Sequence, residues 1–194
     1  MNEEAKSTAQ IPSPMSLVIR AAMFAADRHR DQRRRGPQGA PYINHPIAVA
    51  ECLVTAGVED PDVLAAALLH DTVEDTDTSP VEIKELFGPR VSSIVAEVTD
   101  NKKLSKAERK RRQIASASTK SYEAKLVKLS DKICNLRDLR DCPPNWSDVR
   151  IEAYHEFARD VYRGLRGAHA DLDSQMDHLL TQHVHSYDKL CRFD

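Results

Sequence analysis

The stretch Leu68-Leu69-His70-Asp71-Thr72-Val73-Glu74-Asp75 constrains this chain more than any other. Residues 63–69 are apolar without a break, which reads as a buried helix, and they run straight into a histidine and three carboxylates. Burying unpaired charge is costly, so a core helix that ends this way needs something to neutralise it. His70 and Asp71 are adjacent and can both turn toward one cation. Glu74 follows His70 by four residues and Asp75 follows Asp71 by four, a spacing that stacks side chains on one helix face. The pattern predicts a metal-ligand pair with an acid/base pair stacked beside it.

The rest of the composition sets the frame. A chain of 194 residues, 41% hydrophobic and 30% charged, reads as one soluble domain with a sizeable core. Its formal net charge of −2 argues against a general nucleic-acid binder, so any anion site must come from local clustering. The four cysteines, Cys52, Cys134, Cys142 and Cys191, form no C-x-x-C pair, which points to reduced thiols in the cytoplasm. Residues 1–14 are polar, carry no signal-peptide core and read as a flexible tail. The longest apolar run is far too short to span a membrane.

Helical periodicity recurs between short Pro/Gly connections. Leu17, Val18, Ala21, Ala22, Phe24 and Ala25 predict a first helix from Met15, followed by the basic residues Arg28, Arg30, Arg33, Arg34 and Arg35 and a loop over 36–41. Asn44-His45-Pro46 predicts a second start with Pro46 at the first helical position, and Asp60-Pro61 a third. Ser79-Pro80-Val81-Glu82 has the form of a capping box, and Gly88-Pro89 stops the helix it opens. Val91, Ile94, Val95 and Val98 mark another helix; Leu126, Leu129, Ile133, Leu136 and Leu139 mark one that carries Asp131 and Asn135 four residues apart. Residues 102–112 are Lys/Arg-rich and lead into a serine segment that reads as a mobile connection. A helix is expected over residues 146–165, interrupted at Gly164 and Gly167, with a last one to about residue 184. The expectation is an all-α bundle of about eight helices over residues 15–185, with a C-terminal tail over 186–194.

His45, His70, Asp71 and Asp131 can form a two-histidine, two-aspartate site. Two neutral imidazoles and two carboxylates balance a divalent cation, and mixed N/O ligation with water leans toward manganese. An ion there would serve as Lewis acid and would acidify water. The His-Asp dipeptide alone is weak evidence, since chance supplies roughly 0.7 of them in a chain with eight His and 18 Asp. The four residues together are stronger, because each falls at a helix end or in an apolar register. The remaining histidines, His29, His155, His169, His178, His183 and His185, read as packing or surface residues, and Trp146 as a packing residue at a helix start.

The words Pro41-Tyr42-Ile43-Asn44-His45-Pro46, Leu68 to Thr76, Phe87-Gly88, Glu97-Val98-Thr99-Asp100, Glu108-Arg109-Lys110-Arg111 and Lys125 to Lys132 with Asn135-Leu136-Arg137-Asp138 resemble, in order, the HD-type phosphohydrolases. More narrowly they are similar to the hydrolase domain of the RelA/SpoT homologues and to its stand-alone form, the small alarmone hydrolases. The resemblance implies an HD-domain helical fold, a Mn²⁺ cofactor, and hydrolysis of the 3′-pyrophosphate of ppGpp or pppGpp to GDP or GTP and pyrophosphate. It implies that His45, His70, Asp71 and Asp131 are ligands and that Glu74 and Asp75 are catalytic. It implies that Arg34, Arg35, Asn135, Arg150 and Tyr154 line the nucleotide pocket. Arg35 stands where the family carries lysine, Cys134 where an aromatic residue is common, and the loop 142–146 is shorter than in relatives.

Two rivals are weighed against this reading. One is an HD phosphohydrolase acting on (p)ppApp-type nucleotides or on the 2′-phosphate of NADPH, which present phosphate on the same ribose edge. The other is a non-catalytic nucleotide- or RNA-binding module using the basic runs, Lys102, Lys103, Lys106, Arg109, Lys110, Arg111 and Arg112 among them; it predicts salt-sensitive binding without turnover. Taken singly, each of these seven residues fits a solvated helix face. The expected partner is a small nucleotide rather than a nucleic acid or a membrane, and homo-oligomerisation stays open.

Overall fold

A short polar residue followed by proline starts several of the helices. The computed structural model describes residues 13–36 and 39–190, with side chains to residue 182. In chain order these residues form α1 (Pro14–Arg28), α2 (Asn44–Thr55), α3 (Pro61–Leu69), α4 (Thr72–Asp75), α5 (Pro80–Phe87), α6 (Pro89–Val98), α7 (Lys106–Ser116), α8 (Tyr122–Asp141), α9 (Asp148–Leu165) and α10 (Ala170–Leu190). A 3-10 turn, Ala117–Thr119, joins α7 to α8. Ser13, Asp60 and Ser79 accept backbone N–H groups at the starts of α1, α3 and α5, and Pro14, Pro61 and Pro80 follow them. Proline costs nothing there because its missing N–H would have had no helical partner. Gly88, at φ 91°, ends α5 and starts α6 in one residue, a backbone conformation that favours glycine. Among the described residues the only β pairing is an isolated bridge between Arg33 and Pro41.

The all-α expectation is met, with ten helical segments against about eight. α4 is a single turn split from α3 at His70-Asp71. α7 rises from the run read as basic residues and mobile serines: Ser105 caps it by accepting the Glu108 N–H, and Ala117 just beyond it is fully buried. α2 begins at Asn44, so His45 is its second residue and Pro46 its third. Gly164 does not interrupt α9 but lies inside it. A Cβ there would sit 2.6 Å from the Ala117 Cβ and 2.9 Å from the Ser118 N, so glycine is what lets α9 meet the 3-10 turn. Gly167, at φ 88°, follows the end of that helix. α10 runs on to Leu190, past the expected end. Of the expected tails over 1–14 and 186–194, residues 1–12 and 191–194 lie outside the described residues, as do Pro37-Gln38 of the expected loop; α1 already begins at Pro14 and α10 takes in residues 186–190.

α3 is the centre of the core. Ala65, Ala66 and Ala67 have no exposed surface, and their small side chains let α1, α2, α6 and α8 close around the helix. α8 carries the second half of the core, with Leu126, Leu129, Ile133 and Leu136 buried against α2, α3, α6, α9 and α10. Truncating a leucine buried this deeply costs about 2–5 kcal/mol. The start of α2, the end of α3 and the middle of α8 therefore meet at fixed places, and each carries one or two of the candidate ligands. Cys52, Cys134 and Cys142 are free thiols. Among the described residues no helix is long and apolar enough to cross a membrane.

Candidate metal and nucleotide site

The two histidines named from the sequence meet. The His45 and His70 ring centroids are 5.3 Å apart. His45 Nε2 lies 3.2 Å from Asp131 Oδ1 and 3.9 Å from Asp71 Oδ2. His70 Nε2 lies 3.1 Å from Asp71 Oδ2 and 3.9 Å from Asp131 Oδ1. One donor atom from each of His45, His70 and Asp131 falls within 4.8 Å of the others, and all three residues are buried. Residues up to 86 positions apart in the chain thus converge on one point.

The hydrogen bonding around His70 decides what that point can hold. Its Nδ1 donates to the Ala67 carbonyl, 2.7 Å away, in the last turn of α3. A neutral ring then presents a lone pair at Nε2, toward a carboxylate oxygen that also only accepts. Nε2 is buried and has no hydrogen-bond partner among the described residues. Two acceptors facing each other at this range need a cation between them, either a proton or a metal ion. Burial opposes charging His70, but the carboxylates of Asp71 and Asp131 prevail and raise it to about 9. His45, by contrast, is lowered, chiefly by burial. Asp131 is held well below the usual carboxylate range: burial opposes ionisation, but Lys132, 3.0 Å away, and His45 outweigh it. Two nitrogen and two carboxylate donors around a focus of unmatched acceptors suit a divalent cation.

Glu74 and Asp75 stand beside this focus, though not on one unbroken helix as the spacing predicts. The break at His70-Asp71 starts a fresh turn, while the Asp75 N–H to Asp71 carbonyl bond of 2.8 Å keeps the four-residue offset. Glu74 accepts from the Asp100 N–H at 3.0 Å and from Arg109 Nη1 at 3.2 Å. Burial raises its carboxyl above the ordinary value. Asp75 pairs with Lys102 and lies 3.3 Å from the Tyr42 hydroxyl, which donates at 2.7 Å to Asp71.

The focus opens on two adjoining cavities. The larger, about 780 Å³, has Arg34, Arg35, Asn135, Trp146 and Tyr154 in its wall, a size that suits a nucleotide. The smaller, about 250 Å³, holds His45, Asp71, Glu74, Asp75 and Asp131 under a rim of Lys106, Arg109 and Lys110. Arg34, Tyr42, His45, Asp75, Asn135 and Tyr154 border both. A polar chain leads from the focus into the larger space: Asn135 Nδ2 donates to Asp131 at 2.6 Å, and Arg34 donates to Asn135 Oδ1 at 3.0 Å and pairs with Asp138.

The structure brings together ten of the eleven residues named from the sequence. Arg150 is the exception: its guanidinium stacks over the Trp146 ring at 4.0 Å, and it borders neither cavity. Trp146 is more than packing, since it walls the larger cavity. Of the histidines set aside, His29 and His155 are buried, and the side chains of His183 and His185 lie outside the described residues. Sequence reasoning missed Tyr42, Lys132 and Gln32, whose amide donates to the Asp75 carbonyl at 2.6 Å; Lys102, named as one of a basic run, pairs with Asp75. Tyr42 stands three residues before His45 and Lys132 directly follows Asp131, so proximity in sequence could have raised both. No local signal marks Gln32.

Comparison with known proteins agrees with the geometry. The HD domain family matches residues 21–169. The human guanosine-3′,5′-bis(diphosphate) 3′-pyrophosphohydrolase MESH1 is 52% identical over 172 residues, covering 88% of this chain and 96% of its own. The protein of the same name from Xenopus tropicalis is 51% identical over 169 residues, covering 86% and 94%. A solved structure described as "A metazoan ortholog of SpoT hydrolyzes ppGpp and plays a role in starvation responses" aligns with a TM-score of 0.85 at 46% identity, covering 90% of this chain and 98% of the other. The chain belongs to the HD domain family, in the group of relatives that includes these frog and human proteins.

Proposed function

We propose that this protein is a Mn²⁺-dependent hydrolase that removes the 3′-pyrophosphate of ppGpp or pppGpp, giving GDP or GTP and pyrophosphate. The observation that carries the reading is the meeting of His45, His70, Asp71 and Asp131 at a cation-demanding focus beside a nucleotide-sized cavity. The names of the frog and human relatives support the substrate. These four residues would hold the ion, and Mn²⁺ bound there supplies Lewis acidity toward a phosphate oxygen and toward water.

The reaction breaks the bond between the ribose 3′-oxygen and phosphorus. Water supplies the oxygen that joins phosphorus, and a proton must reach the 3′-oxygen. Glu74 and Asp75 are the carboxylates placed to take and give these protons. Burial raises the Glu74 carboxyl above its ordinary value, which favours its holding a proton. Arg34, Arg35, Asn135 and Tyr154 line the space for the nucleoside; a guanidinium can stack on a base or grip a phosphate. Lys106 and Lys110 at the rim oppose the phosphate charge. A recess of about 780 Å³ suits a free nucleotide. The free thiols among the described residues, Cys52, Cys134 and Cys142, support a cytoplasmic location.

The test is incubation with ppGpp and Mn²⁺, with and without chelator, and chromatography of the products. Release of GDP and pyrophosphate that stops on chelation is the expected result. Parallel incubations with pppApp and NADPH separate the rivals: turnover of either in place of ppGpp replaces the substrate, and binding without turnover of any of them ends the enzymatic reading. In a second arm, Glu74→Gln and Asp75→Asn each lower turnover; wild-type rates in both would remove the two carboxylates from the chemistry.

A further inference from the structure

The two carboxylates beside the metal focus are held by one stretch of chain, residues 100–113. The Asp100 N–H and Arg109 Nη1 each donate to Glu74, one to each carboxylate oxygen. Gln113 Nε2 donates to Asp100 Oδ2 at 2.5 Å, so α7 reaches Glu74 by two routes. Lys102, on the same connection, pairs with Asp75. The two grips differ. The Glu74 and Arg109 side chains are 16% and 26% exposed, while Lys102 is 50% exposed. An ion pair in open solvent contributes little to position, whereas a carboxylate fixed at both oxygens in a recess has few places to go. α7 itself buries no residue. Its structural work for the core is slight, yet Arg109 points inward from it to a reacting group.

We infer that Arg109 is a positioning residue, which acts on the reaction by fixing the orientation of Glu74 rather than by binding the substrate. The inference rests on the assignment of Glu74 as a proton carrier above. The rival role for Arg109 is a direct grip on a substrate phosphate. Its position on the rim of the smaller cavity and its partnerless buried Nε give that rival a basis.

The experiment compares Arg109→Met, Arg109→Lys, Glu74→Gln and the double variant Arg109→Met/Glu74→Gln in the full chain, with Mn²⁺ and ppGpp. The expected result for Arg109→Met is a kcat lower by about 10- to 100-fold with KM changed less than about twofold, the scale seen when a group that orients a reacting side chain is removed. Arg109→Lys recovers part of the loss, because an ammonium keeps the charge but not the fork. In the Glu74→Gln background the Arg109→Met change costs less than about threefold more, because the group it positions is already gone. Losses that multiply in the double variant overturn the inference, and so does a KM raised tenfold with kcat retained. Full activity of Arg109→Met beside a disabled Glu74→Gln overturns this inference alone. Full activity of Glu74→Gln overturns the assignment it rests on. Thermal unfolding of each variant separates these outcomes from loss of fold, and Arg109→Lys serves where Arg109→Met is unstable.

Discussion

The floor and the rim of the site are built by opposite means. The floor, His45, His70 and Asp131, stands on α2, the end of α3 and α8, whose positions are fixed by buried alanine and leucine side chains. The rim, Lys102 to Arg112, stands on a connection and on α7, which buries nothing and is itself laced by Ser105, Glu108, Arg111 and Arg112. Cores transmit position because they are close-packed, while surface pairs are weak and screened. The difference teaches where precision is needed. The converging donors of the floor sit where packing leaves no freedom, and exposed rim cations such as Lys102 sit where side chains can move, while Arg109 is the rim residue that reaches into the recess and is held there by Glu74.

The strongest attack on this contrast is at the floor. His70→Gln is expected to lower kcat/KM on the order of 10³-fold and to abolish retained manganese in elemental analysis of desalted protein, with the fold intact. A loss below tenfold would mean that the chemistry does not depend on the floor. Next comes its response to pH. The folded value of His70, about 9, lies above the ordinary 6.5. Its stabilising contribution is therefore complete below pH 6.5 and lost as pH rises through 9. Chelated protein should lose about 3 kcal/mol across that window, read as falling Tm, while Mn²⁺-loaded protein does not, because the ion takes the place of the proton. His45, lowered by burial, works the other way and removes stability as pH falls below its ordinary value. A flat Tm in the chelated protein would show that this charge does not hold the floor together.

The rim is tested where it touches the core. Gly164→Ala places a methyl group against Ala117 and the Ser118 backbone, which costs about 1–3 kcal/mol by overpacking. Differential scanning calorimetry reads it; an unchanged Tm would mean that the rim has no fixed seat on α9. The smallest effect is expected at Lys102→Ala. With the ammonium half exposed, activity should change less than about threefold and stability by less than about 0.5 kcal/mol. A tenfold loss of activity there would erase the distinction between the grips on Glu74 and Asp75.

The same division governs what could be read from the chain before folding. Floor residues were legible because their signals are local and chemical: proline after a capping residue, and histidine beside aspartate at the end of an apolar run. α7 was not, because a helix that buries nothing leaves no apolar period to find; its evidence is a Ser105 cap and Glu108 pairing with Arg111 and Arg112. Gly164 read as a break, since a close approach by Ala117 is invisible along the chain. Arg150 stacks on Trp146, a wall residue of the larger cavity, and borders neither cavity itself, a contact that sequence spacing does not reveal. Tyr42, Lys102 and Arg109 acquire meaning only when Asp71, Asp75 and Glu74 arrive opposite them.

The bond from His70 to the Ala67 carbonyl has one more consequence. The final carbonyls of any α-helix lack partners within it, so finishing α3 automatically offers the acceptor that orients this imidazole. Readiness to capture an ion is thereby a by-product of completing the central helix. Protein stripped by chelator should regain its ion as quickly as the ion can diffuse in, with no refolding to wait for.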